Sequence, residues 1–361
     1  MKHDRCPMSG YDVQADGRCG KRASPIPNNA RMVPQPDAHP DAQPRPRPRR
    51  RRWRILRLAF AVLLVFSLVV WRLSWSAPPV YTPAAGTTIR GTPLGSPDHD
   101  ARVITLRDNE PSILHIKPAA PTDRGELLFF GALHTKDPAH PELAELRRVW
   151  KEFRPTVALV EGRMSFFVGT PTQGIRVFGE GAAVYSMAER DGIPLYTLEP
   201  PLEVEIAALE ECGDRAQVAM FRFLSGYISA RRGGAVSDFK VSRLLRKRAR
   251  PLTDAFPDAA AFDAYYASQF PEAPNWRDIP EEAMWPGQSD TLLHRMATRS
   301  NRTRDAHFNR VMIDLVNRGE RVLAIAGRSH TIIQEPVLLD SLAPASRAAL
   351  SSRRPWEPPS E

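Results

Sequence analysis

The chain has 361 residues, enough for one large domain or two ordinary ones. Its formal charge of +9 is unevenly placed: residues 1–76 carry fifteen Lys/Arg against five Asp/Glu, and residues 77–361 carry thirty-five against thirty-six. The larger part therefore has no general attraction for phosphate, which excludes nucleic acid as a partner, and its lone cysteine, Cys212, excludes an internal disulfide or a Cys-based zinc site there.

Residues 1–48 hold nine prolines, few large apolar residues and no periodicity, the composition of a disordered segment. With the start of the arginine run they make a Pro/Arg-rich tail over 1–54. The stretch "RPRPRRRRWRILRLAFAVLLVFSLVVWRLSWSA" then places eight arginines between Arg45 and Arg57, ahead of an apolar run from Leu58 to Trp71. Those fourteen residues fall short of the roughly 20 that span a bilayer. Ile55–Trp75 suffices if Arg57 and Arg72 snorkel outward. Trp53, Trp71 and Trp75 sit where interfacial aromatics belong, and the arginines favour the cytoplasmic side. The expectation is one transmembrane anchor at 55–76, a cytoplasmic amino terminus and an exported main domain. The tail is too long for the n-region of an ordinary cleaved signal peptide.

Residues 77–123, rich in Pro, Gly and Thr, read as a linker with a short strand at Ser112–Lys117. Residues 124–345 read as the globular domain, and 346–361 as a second disordered tail. Within the domain, Leu127–Phe130, Val157–Val160, Leu195–Leu198 and Val322–Ala326 are short apolar runs, the pattern of strands covered on both faces. Helical patterns separate them. "PELAELRRVWKEF" opens with Pro141 and puts Leu143, Leu146, Val149, Trp150 and Phe153 on one face, and "AAVYSMAERDG" closes on Gly192. Alternating strands and helices predict an α/β domain with a mainly parallel sheet core and flanking helices. A large helical insertion is expected at about 202–300. In the helix that follows, Arg304 shares the apolar face of Phe308, Val311, Met312 and Leu315, with Asp305 at its edge.

The residues just beyond the strands are ionisable. The first run leads to Gly131 and His134, the second to Glu161, Gly162 and Arg163, the third to Glu199, and the fourth to Gly327 and His330. Open α/β sheets bind ligands outside the carboxyl ends of their strands. Two histidines and two glutamates there would offer the N/O donors of a divalent transition metal, with Arg163 or Arg304 balancing a carboxylate or an oxyanion. The glycines would allow a positive φ or a close backbone approach that turns each histidine back over the sheet edge. Other signals are weaker. There is no His-Glu-x-x-His, no Gly-x-Ser-x-Gly and no P-loop. "GEG" at Gly179–Gly181 is too short for a dinucleotide fingerprint, "RLLRKRAR" at Arg243–Arg250 reads as a solvated basic stripe, and His140 and His294 stand alone.

Three stretches resemble the TraB/GumN/Tiki superfamily: "GALHTKDPAHPELAELRRVWKEFRPTVALVEGR", "MAERDGIPLYTLEPPLEVEIAAL" and "RDAHFNRVMIDLVNRGERVLAIAGRSH". They follow the family's order and cover roughly 125–200 and 300–335. The resemblance implies a bacterial, inner-membrane, GumN-like member with an extracytoplasmic domain. It further implies divalent-metal-dependent hydrolysis of a peptide or protein, with His134, Glu161 and His330 as ligands of a Mn, Co or Zn ion. Glu199, as base or support, and Arg304 or Arg163, facing the oxyanion, complete the expected site. This chain departs from the family pattern at Asp305, where the family has Asn, and at Pro200, where it has Thr. The alternative expectation is a non-catalytic envelope or polysaccharide-assembly protein using the same polar cluster. A third is a receptor-like anchor whose tail recruits cytoplasmic partners.

Overall fold

The computed structural model describes residues 49–73, 75–93, 111–118, 125–163, 166–167, 170–232, 234–287 and 289–343. The tails expected at 1–48 and 346–361, and residues 94–110 and 119–123 of the expected linker, lie outside them. Helix α1, Arg49–Leu73, covers the arginine-flanked apolar run, and its apolar side chains from Leu58 to Val69 are exposed. Among the described residues no helix is long and apolar enough to cross a membrane. The side chains at 70–76, which the expected span needs, are not among those described.

The domain is α/β, built on a five-stranded sheet. Its strands are β2 Ser112–Ile116, β3 Glu126–Ala132, β4 Val157–Val160, β6 Leu195–Thr197 and β7 Arg321–Gly327, in the spatial order β2-β3-β7-β4-β6. β3, β7, β4 and β6 are parallel, and β2 is antiparallel at one edge. A separate short pair joins β1, Trp75–Ser76, to β5, Phe166–Phe167. The chain lays down β3, passes through α2 (Pro141–Phe153) to β4, then through α3 (Pro171–Phe178) and α4 (Glu180–Asp191) to β6. It returns last to place β7 between β3 and β4.

Strand alternation sorts the core into two layers. Leu127, Phe129, Val157, Leu159, Val322 and Ala324 face α9 (Leu292–Asn317) and α10 (Arg328–Leu342). Leu128, Phe130, Ala158, Val160, Leu323 and Ile325 face α2 and α4. The segment expected as a linker belongs in part to this fold. Tyr81 and Ile89 pack on the first layer, Tyr81 Oη donates to Asp314 Oδ2 at 2.6 Å, and Val80 bridges Thr197.

The insertion is helical, as expected, and carries a core of its own. It contains α5 (Leu202–Glu210), α6 (Arg215–Arg231), α7 (Asp238–Leu244), a π-helical turn at Leu245–Ala249, α8 (Ala259–Gln269) and two short 3-10 turns. Asp214 caps α6 with a capping box to Gln217. Phe223, Phe256, Phe262 and Trp276 are fully buried together, ring against ring, with Trp276 4.7 Å from Tyr227 between centroids. The expected last helix starts earlier than its apolar stripe: α9 begins at Leu292, capped by Thr291, so its first turns serve the insertion and its later turns the sheet.

Candidate active site at the carboxyl edge of the sheet

Because β3, β7, β4 and β6 are parallel neighbours, their carboxyl ends lie side by side, and His134, His330, Glu161 and Glu199 follow them in that spatial order. Arg304, reaching in from α9, sits between the two glutamates. Its Nε donates to Glu199 Oε2 at 2.8 Å, and its Nη2 donates to Glu199 Oε1 and to Glu161 Oε1, each at 2.7 Å. Glu199 is 3% exposed and also accepts from the Gly162 N–H at 3.2 Å. Its oxygens are thus held, and Glu199 acts by positioning Arg304. Glu161 Oε2 accepts from the Gly327 N–H at 2.7 Å, which ties β4 to the first turn of α10.

His330 is buried, with Nδ1 2.7 Å from Asp305 Oδ1 and its ring 5.3 Å from that of Phe308, over which Arg304 also lies. Its Nε2 points toward Glu161 Oε1 at 3.6 Å. Burial works against charge on this imidazole, but Glu161 and Asp305 reverse that and push its pKa up to about 10. Burial likewise opposes a charged Glu161, yet His330, Arg304 and His134 hold its carboxyl well below the usual range. At neutral pH the His330 imidazolium and the Arg304 guanidinium therefore face an ionised Glu161.

His134 is placed by its own backbone. Among the described residues only His134, at φ 64°, and Arg154, at φ 50°, are non-glycine positions with positive φ, and Arg154 is simply the left-handed cap of α2. The positive φ expected at the motif glycines is thus found at His134 itself and at Gly162, φ 97°. The motif glycines serve close approach instead. A Cβ on Gly327 would lie 2.7 Å from His134 Nε2 and 3.6 Å from Glu161 Oε2. A Cβ on Gly131 would meet Thr331 Oγ1 at 2.6 Å and backbone of Arg328 and Ser112 at 3.0 Å. One glycine makes room for the His134 side chain, the other for the packing of α10 on β3.

The loop that carries His134 is gripped by two carboxyl groups. The Leu133 N–H donates to Glu142 Oε1 at 2.7 Å, and the Thr135 N–H donates to Glu180 Oε1. Burial raises the pKa of both, that of Glu180 to about 7. Sequence reasoning passed over this pair. The signal was a glutamate between two glycines at a helix start, in the "GEG" stretch, and a second just after Pro141. Arg163, expected to face an oxyanion, lies at the margin. It donates to the Pro200 carbonyl at 2.9 Å and to Glu205 at 2.6 Å, and stands 3.9 Å from Glu199. His140 caps α2, and His294 bonds to Thr291 and the Glu282 carbonyl, so both are structural.

Of the donors expected to hold a metal, Glu161 and the Nδ1 of His330 are engaged otherwise. Both oxygens of Glu161 are taken by Arg304 and Gly327, and among the described residues no group of three or more His, Cys, Asp or Glu is arranged to hold an ion. Comparison with protein-family models, curated proteins and solved structures finds no match.

Proposed function

We propose that this chain is a hydrolase of acyl bonds, peptide-like in type, working at the strand-end cluster. The observation that supports it is the cluster of exposed His134, half-buried Glu161 and Arg304, and buried His330 at the edge of four parallel strands, with His134 held at φ 64°. Strained backbone of this kind concentrates at functional sites. In this reading His134 takes the proton of an attacking water as general base. His330, carrying its proton at neutral pH, faces the developing oxyanion and passes that proton to the leaving group. Asp305 fixes the His330 ring through Nδ1, so the aspartate that departs from the family pattern has a positioning role. Glu161 holds the imidazolium, the guanidinium and the start of α10 in register, and Glu199 anchors Arg304.

The membership suggested by the TraB/GumN/Tiki motifs belongs to the same proposal, as does an inner-membrane anchor at 55–76 with the domain outside the cytoplasm. The exposed apolar side chains of α1 from Leu58 to Val69 favour that anchor. A metal-assisted form of the reaction has one observation in its favour. The 3.6 Å from His330 Nε2 to Glu161 Oε1 is close to the separation of two donors each about 2.0–2.2 Å from a common ion. His134, Glu161 and His330 would hold such an ion once Arg304 released Oε1, and it would supply Lewis-acid activation of water and carbonyl.

The test is turnover of fluorogenic peptide and ester panels by the purified full chain. His134→Ala and His330→Ala are each expected to reduce kcat/KM at least 100-fold while the protein still melts cooperatively. No turnover in the parent chain, with both variants merely destabilised, would favour the non-catalytic assembly reading. Stoichiometric metal in the purified protein, lost in His330→Ala, would replace the metal-free scheme.

A further inference from the structure

Two arginines of the helical insertion have no acceptor among the described residues. Arg222, on α6, is half-buried, and its Nε and Nη1 are shut off from solvent with no hydrogen-bond partner. Arg248 is half-buried in the π-helical turn Leu245–Ala249, between the exposed Lys247 and the buried Ala249. It belongs to the Arg243–Arg250 run expected to be solvated. The π-helical turn, a rare insertion into helical geometry that tends to mark functional positions, directs Arg248 inward.

Both arginines lie on the same side of α6, and the charge of Arg248 acts on Arg222. A Cβ on Gly226 would fall 2.7 Å from Arg248 Cδ and 2.8 Å from its Nε, so Arg248 lies across the bare backbone of Gly226. Gly226 is one helical turn beyond Arg222, on the same face of α6. Burial pushes the pKa of both guanidinium groups down, and Glu205 is the carboxylate that acts on each. Glu205 is already engaged, accepting from Arg163 at 2.6 Å and from Ser300 Oγ at 2.7 Å. The one carboxylate that offsets the charge of Arg222 and Arg248 is thus already committed to Arg163 and Ser300. Neighbouring cations that lose hydration repel each other, and protein interiors hold them only with compensating negative charge. Arg163 also joins this cluster to the strand-end site, 3.9 Å from Glu199.

We propose that Arg222 and Arg248, with Arg163 at the margin, form a subsite for an oxyanion, a carboxylate or phosphoryl group, carried by the molecule that occupies the strand-end site. Guanidinium groups match the planar or tetrahedral oxygens of such groups and bind them in paired hydrogen bonds. As a substrate determinant the subsite rests on the hydrolase reading, and it selects acyl compounds with a terminal acid group. As an anion site it does not.

Titration calorimetry on the full chain at constant ionic strength, with inorganic phosphate in one arm and acetylglycine in the other, separates the two anion classes. One saturable site is expected for at least one of them. Arg222→Gln and Arg248→Gln should each weaken it tenfold or more, and Arg246→Gln, on the exposed side of the same turn, should leave it unchanged. Without anion, both subsite variants should melt at or above the parent temperature, because each removes an uncompensated cation. His330→Ala should bind the anion as the parent does, so loss of the hydrolase reading leaves this result standing. Absence of saturable binding in both arms, or equal binding by the Arg222→Gln/Arg248→Gln double variant, would overturn the proposal.

Discussion

At the residue scale the two Gly-x-x-His motifs look alike and do different work. Gly327→Ala would press a methyl group against the tip of His134, a side chain that can swing away. The expected outcome is a protein that melts within about 1 kcal/mol of the parent but loses turnover on the order of 100-fold, since misplacement by about an ångström suffices for that. Gly131→Ala would instead meet backbone of Arg328 and Ser112. It is expected to cost about 1–3 kcal/mol by overpacking, read by denaturant unfolding. Glu180 gives a pH signature. Its folded pKa, about 7, lies above the ordinary 4.5, so its contribution to stability is complete below pH 4.5 and is lost as pH rises through 7. Glu180→Gln should flatten that fall in melting temperature, with a gain of roughly 2 kcal/mol at pH 8 if about half the shift is realised.

At the element scale, the order of the sheet assembles the site. β7 arrives last in the chain and enters between β3 and β4, which brings Gly327 and His330 against Glu161 and His134. No local signal in the Val322–Ala326 run specifies that position. The long α9 is the second device, because its middle turns deliver Arg304 over the Phe308 ring and Asp305 to His330 while its ends pack on two different cores. The insertion should have a stability that depends on its own aromatic cluster. Trp276→Ala removes a fully buried indole packed on Phe223, Tyr227 and Phe262. It is expected to cost about 3–5 kcal/mol, seen as a lower unfolding midpoint.

At the scale of the whole molecule, charge and hydropathy divide the chain near residue 76. The basic segment belongs with α1, and the near-neutral remainder forms the α/β domain and its helical insertion. Fractionation checks the proposed anchor. The full chain should pellet with membranes and resist alkaline carbonate, and deletion of residues 49–73 should release it. A full chain that stays in the supernatant would remove the anchor from the proposal.

The strands β3, β4, β6 and β7, α2 and the helical character of the insertion were legible from the sequence. Each rests on local periodicity, and burial on both faces of a strand leaves an apolar run that no other element produces as readily. The strand-end residues were legible for the same reason, since a strand's end is a local event. Their roles were not. That Glu199 is spent on Arg304, that Asp305 orients His330, and that Glu142 and Glu180 clamp the loop of His134 are contacts between residues 25 to 105 positions apart or on separate elements. Only the packed structure brings such groups within hydrogen-bonding distance, and only there does burial turn a glutamate beside two glycines into a group that titrates near neutrality. Arg248 shows the same division: its basic stretch is plain in the sequence, but the π-helical turn that directs it inward follows from how α6 and the insertion pack.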